Sequence, residues 1–174
     1  TELSALGTQA FEDENARRAA FKEKWSELIT SGKLGYMALL RNLRNILDAD
    51  VDAEIVKDVA ERICSPYEVM RARQFPFRYF SAYRELKSLS SVNTSMLLDS
   101  IDDAVMQSAA NISGFTKDTR VFIACDMSGS MRNPISKNSK MQYYEVGNML
   151  AMLLQSRCEK VISGIFANEW KVVN

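Results

Sequence analysis

The residues best placed to do chemistry are Asp126-Met127-Ser128-Gly129-Ser130, a D-x-S-x-S pattern directly after the apolar run Val121-Phe122-Ile123-Ala124-Cys125. Alternate side chains of such a loop can turn toward one point, joining one carboxylate to two hydroxyls. Asp126, Ser128 and Ser130 are hard oxygen donors, suited to magnesium first, and also to manganese or calcium. One negative charge leaves a divalent ion under-neutralised, so the ion can recruit an acidic group from a partner. Gly129 keeps the turn permissive. The same residues also fit a polar strand-to-helix turn in which Asp and Ser side chains cap the next helix. Their place after an apolar strand and before a helix favours the metal reading. A nucleophile elbow needs G-x-S-x-G, which Met127-Ser128-Gly129-Ser130 does not supply. No D-x-D pair of the phosphatase type accompanies the loop, and no glycine-rich loop ends in the lysine that phosphate binding requires.

A second cluster is basic and aromatic. Residues 71–87 hold Arg71, Arg73, Arg78, Arg84 and Lys87 against Glu85 alone, with Phe75, Phe77, Tyr79, Phe80 and Tyr83 interleaved. Cations neutralise phosphates and exposed aromatic rings stack on unpaired bases. The other reading is a solvated charged face over an aromatic core, and the spacing predicts burial of Phe80 and Tyr83. Arg41 and Arg44 lie three apart on the polar side of a helix, with Lys33 just before it. They could line the inside of a ring or form a solvated edge with Asn42 and Asn45. Asp99, Asp102 and Asp103, with no lysine or arginine among them, face away from any RNA.

The elements that must position these residues are helical up to about residue 112. Helices are predicted from about Phe11 to Thr30, ending at Ser31-Gly32, and from Leu34 through Leu47. Another runs from about Asp52 to Cys64. Ser65-Pro66-Tyr67-Glu68 has the pattern of a capping box. Pro76 then breaks or restarts the helix, and a further helix covers about Phe77 to Leu89. The last places Leu97, Leu98, Ile101, Ala104 and Val105 inward. Short helices with short connections suggest an α-solenoid of stacked helical hairpins, of the HEAT sort, although no sequence repeat is evident.

The pattern changes at Ser113-Gly114-Phe115-Thr116-Lys117. Val121–Cys125, a helix from about Lys140 to Gln155 and Val161–Phe166 give strand, loop, helix, strand, the opening of a Rossmann-like α/β domain. An unbroken apolar strand is expected inside a parallel sheet covered on both faces. Trp170-Lys171-Val172-Val173 forms a third strand or a hairpin partner turning at Ala167-Asn168-Glu169. Two or three strands with one helix leave an edge unpaired and a face uncovered, so a fragment is expected.

Composition is ordinary for a globular chain: 174 residues, 47% hydrophobic, 25% charged and zero formal net charge, so an RNA surface must be a local patch. There is no histidine, and Cys64, Cys125 and Cys158 are widely spaced, which argues against zinc and predicts reduced, buried thiols. No apolar run approaches the ~20 residues of a membrane span, and the opening Thr-Glu-Leu-Ser lacks the pattern of a signal peptide. A cytoplasmic setting is expected.

Four segments in one order now carry a resemblance. Phe122–Met131 resembles the metal-ion-dependent adhesion site (MIDAS) of von Willebrand A domains. Leu39-Leu40-Arg41-Asn42-Leu43 resembles the "LLRNL" signature of the TROVE domain of the Ro autoantigen family. Arg73-Gln74-Phe75-Pro76-Phe77-Arg78 and Leu97–Ala104 sit where that family has its "HPF"-like element and its last helix before the A domain. The resemblance implies a TROVE-type HEAT-like helical segment over residues 1–115 and the first part of a von Willebrand A domain over 116–174. It further implies binding of small noncoding RNAs, Y RNAs among them, and of single-stranded RNA ends, as in RNA quality control, with Asp126, Ser128 and Ser130 as first-loop metal ligands.

The expected function is therefore that of a noncoding-RNA-binding ribonucleoprotein component, not an enzyme, with RNA rather than DNA or membrane as partner. A protein partner would reach the metal through an acidic residue. The alternative is a metal-dependent protein-interaction module with the helices as scaffold. Metal-dependent hydrolysis would need a general base, and no histidine is present to supply it.

Overall fold

The computed structural model describes residues 2–137, 139 and 141–173. Among the described residues the chain is mixed: mostly helical, with one three-stranded sheet. It divides into two compact units, Thr1–Ala72 with Ala82–Ala104, and Arg73–Ser81 with Val105–Asn174.

The first unit opens with α1 (Glu2–Thr8) and α2 (Glu14–Thr30). Periodicity alone puts the start of α2 near Phe11. The observed start follows Asp13, whose carboxylate accepts the Ala16 amide at 2.7 Å and so supplies the N-cap. Lys24 binds Glu2 at 2.6 Å and Glu27 at 2.7 Å, and hydrogen bonding to these two carboxylates pushes its ammonium up to about 12. Gly32, at φ +66°, takes the left-handed conformation just past the end of α2.

The helix expected from Leu34 to Leu47 is broken into α3 (Tyr36–Arg41) and α4 (Leu43–Asp48). Asn42 sits between them at φ −112° and ψ 10°. Its side-chain amide donates back to the Ala38 carbonyl at 2.8 Å, an alternative to the regular helix ladder. The apolar stripe still faces one way across the break, with Leu39, Leu40, Leu43 and Ile46 buried. They meet α5 (Ala53–Ile63), which buries Val56, Val59, Ala60 and Ile63. The Tyr36 hydroxyl donates to the Ile63 carbonyl at 2.8 Å, and Arg62 donates to the Leu34 carbonyl at 3.0 Å.

Next come α6 (Pro66–Ala72), α7 (Pro76–Lys87) and α8 (Thr94–Ser108). The Glu68 amide reaches Ser65 Oγ at 3.5 Å, a long contact for the expected cap. Pro76 restarts the chain as α7. The burial expected for Phe80 and Tyr83 is not complete: both are half-buried, and Tyr79 takes the fully enclosed position instead. Pro76, Tyr79 and Leu86 are the buried residues of α7.

In the second unit a 3-10 turn (Ala109–Asn111) leads to β1 (Arg120–Asp126). A second 3-10 turn (Gly129–Arg132) precedes α9 (Tyr143–Arg157), then β2 (Lys160–Phe166) and β3 (Trp170–Val172). The expected start near Lys140 lies outside the described residues. Gln142 and Glu145 form a reciprocal capping box that sets the observed start, with the Gln142 amide donating to Glu145 at 2.8 Å. β1 and β2 pair in parallel, from Arg120 with Lys160 to Asp126 with Phe166. β3 returns antiparallel along β2, through the expected turn at 167–169.

α9 packs on one face of this sheet, with Ala151 and Leu153 buried. The opposite face is open, as expected for a few strands with a single helix, although the apolar run of β1 by itself suggests a strand covered on both sides. Phe122 is 66% exposed and Ile162 57%, both on that face. Trp170 lies across Gly164 and stacks on Phe122, ring centroids 5.2 Å apart. Arg157, at the end of α9, donates to the Phe115 carbonyl at 2.7 Å and to the Ala109 carbonyl, fixing the segment that enters β1. None of the three cysteines forms a disulfide, and only Cys158 is buried as expected, Cys64 and Cys125 being half-buried. Among the described residues no helix is long and apolar enough to cross a membrane.

Candidate functional site

The D-x-S-x-S loop leaves the carboxyl end of β1. The Met127 amide extends the parallel ladder by one bond, donating to the Phe166 carbonyl at 2.7 Å. Asp126 is thereby held at the tip of a paired strand. Its Oδ1 accepts the Ser128 amide at 2.8 Å, the local turn expected of an aspartate two residues upstream. The Ser128 and Ser130 hydroxyls lie 3.1 Å apart. The structure thus brings the three donors into one chain of contacts, carboxylate to amide on one side and hydroxyl to hydroxyl on the other.

Asp126 and Ser128 are half-buried, and Ser130 is exposed, so the loop opens to solvent. Among the described residues no group of three or more His, Cys, Asp or Glu side chains is gathered in one place. In the sequence from 126 to 142 Asp126 is the sole carboxylate, so the hydroxyls must provide the remaining donors of the loop. One carboxylate and two hydroxyls suit a hard cation and would fill about half of an octahedral shell. Burial pushes the neighbouring Cys125 thiol up from its ordinary value.

Supports of the loop escaped the sequence reading. Asn148 on α9 donates to Met127 Sδ at 3.7 Å, and the Tyr143 amide donates to the Asn133 carbonyl at 3.2 Å. Ile135 donates to the Met141 carbonyl at 2.9 Å, beside a bridge between Pro134 and Gln142. The Gln142-Tyr143-Tyr144-Glu145 spacing was the available signal for where the loop ends and α9 begins.

The proposed RNA-facing cations fall in both units. Lys33, Arg41, Arg44, Arg71, Arg84 and Lys87 belong to the first unit, Arg73 and Arg78 to the second. All eight are exposed. Arg44 is engaged by Asp48 and Glu85, each at 3.4 Å. Arg71 lies over the Tyr67 ring, 5.9 Å from its centroid, and Arg78 over the Phe77 ring at 5.3 Å. Arg73 is the non-glycine residue after α6 with a left-handed backbone, φ 49°.

Known proteins share this outline. A family model described as "TROVE domain" matches residues 7–159. Telomerase protein component 1 of Rattus norvegicus is 37% identical over 83 residues, 48% of this chain and 3% of that protein. Telomerase protein component 1 of Mus musculus is 36% identical over 83 residues, again 48% of this chain and 3% of that protein. The crystal structure of the Deinococcus radiodurans Ro (RSR) protein superposes with a TM-score of 0.60 at 18% identity, covering 95% of this chain and 42% of that one. The chain thus spans a small part of the curated relatives and less than half of the solved one, and at that identity the structural likeness speaks for the fold.

Proposed function

This chain belongs to the TROVE-domain family, and from that premise we propose that it is an RNA-binding component of a ribonucleoprotein. The observation that carries the reading is the family match over residues 7–159. It binds small structured noncoding RNA of the Y-RNA kind and single-stranded RNA ends, and acts in RNA quality control without catalysing a reaction. Residues 1–115 are a HEAT-like helical segment, and residues 116–174 the first part of a von Willebrand A-type domain. The exposed cations Arg71, Arg73, Arg78, Arg84, Lys87, Arg41 and Lys33 contact phosphates, with Arg44 contributing least. The setting is cytoplasmic, and the partner is RNA rather than DNA.

Asp126, Ser128 and Ser130 would hold a divalent ion, magnesium before manganese or calcium. A bound ion supplies a positive centre that an acidic side chain of a protein partner can complete. The 3.1 Å approach of the two hydroxyls favours this as a second activity, and it supports the alternative reading of a metal-dependent interaction module.

Purified chain is predicted to carry nucleic acid, seen as excess absorbance near 260 nm that ribonuclease removes and deoxyribonuclease does not. Material free of nucleic acid that also fails to bind added RNA would overturn the reading.

A further inference from the structure

The strip from Arg73 to Arg78 has features that phosphate contact alone leaves unused. Phe75, in the connection between α6 and α7, is 54% exposed, while Pro76 beside it is buried. The Phe75 ring lies nearly parallel to that of Phe77, with an interplanar angle of 13° and centroids 6.2 Å apart. The Arg78 guanidinium covers the Phe77 ring. Phe75 is thus backed by a second ring on one side and open on the other.

The strip is held in place within its own unit. The Arg78 amide donates to the Phe75 carbonyl at 3.0 Å, and Asn111 donates to the Gln74 carbonyl at 3.3 Å. The left-handed Arg73, a conformation that disfavours residues with a β-carbon, makes the bend that presents Phe75. Neither Arg73 nor Arg78 pairs with a carboxylate among the described residues.

An open aromatic face on a strip that carries two guanidiniums, neither paired with a carboxylate, matches an unpaired nucleotide. The base offers a flat π-face whatever its identity, and the phosphates beside it offer charge to the arginines. A duplex hides its base faces and would use only the cations. An acidic peptide would likewise leave the ring idle.

We propose that Phe75 is a stacking platform for one unpaired base of single-stranded RNA, with Arg73 and Arg78 taking the phosphates beside it. The proposal rests on the RNA-binding reading above and adds the part of the RNA that this strip recognises.

The test is fluorescence anisotropy of the full chain with two labelled probes, an oligoadenosine RNA of about ten nucleotides and a fully paired RNA hairpin of similar charge. Phe75→Ala is expected to weaken oligoadenosine binding about tenfold and leave the hairpin affinity unchanged, with Phe75→Trp restoring the oligoadenosine affinity. Arg78→Ala is expected to weaken both probes. Because Phe75 is exposed, its replacement should leave the thermal melt in place, which is checked alongside. Parent chain that binds while Phe75→Ala binds oligoadenosine equally well overturns the platform and spares the RNA reading. Equal loss on both probes also overturns it. Parent chain that binds neither probe overturns the RNA reading and the platform together.

Discussion

Asp126 can serve its loop in two ways, as the acceptor that closes the Ser128 turn and as a charge that draws a cation. Asparagine separates them, because its side-chain oxygen can still accept the Ser128 amide whereas its charge is gone. Asp126→Asn is predicted to melt where the parent melts in chelator. The parent is predicted to gain a few degrees in millimolar magnesium or manganese, and the variant to gain none, since an ion that binds only the folded state stabilises it by mass action. The same ion-dependent rise in both proteins would remove the metal role and leave Asp126 as a turn residue. Cys125, one residue upstream, is half-buried; its thiol is pushed up by burial and faces the Gly147 carbonyl at 3.8 Å.

At the scale of elements, the sheet shows how a glycine fixes a hairpin. A β-carbon at Gly164 would collide with the Trp170 ring and with the Lys171 carbonyl, so β3 can return along β2 only because that side chain is missing. Gly164→Ala is predicted to destabilise the chain by about 1–3 kcal/mol in a denaturant melt. A variant as stable as its parent would mean that the β2–β3 packing yields easily to an added methyl group. The strands themselves were legible, because Val121–Cys125 and Val161–Phe166 are apolar runs of strand length bounded by polar turns. The apolar runs alone do not say what covers them, since a run is the same whether both faces are packed or one is open; it was the count of one helix against two or three strands that pointed to an uncovered face. The helices show a similar limit. Periodicity located the stripe through Leu39, Leu43 and Ile46, but not the break at Asn42, where a side-chain amide competes for a backbone carbonyl. Asp13 and the Gln142–Glu145 pair set helix starts with short polar side chains that apolar periodicity does not register. The D-x-S-x-S turn was legible as a motif at the end of a strand, whereas its supports, Asn148 and the Tyr143 amide, come from a helix that begins well past it.

For the whole molecule, a formal charge of zero conceals an uneven distribution. Exposed arginines and lysines cluster between residues 71 and 87, while Asp99, Asp102 and Asp103 gather on α8. Binding carried by phosphates releases counterions, so affinity must fall steeply with salt, by a slope that counts the cations engaged. The most direct measurement is therefore a titration of the intact chain with single-stranded RNA across a series of salt concentrations, repeated for Arg73→Ala, Arg78→Ala and the double variant. The account predicts salt-dependent binding whose log–log slope shrinks by about one for each arginine removed. Affinity indifferent to salt, or a double variant that matches the parent at every salt concentration, would contradict it.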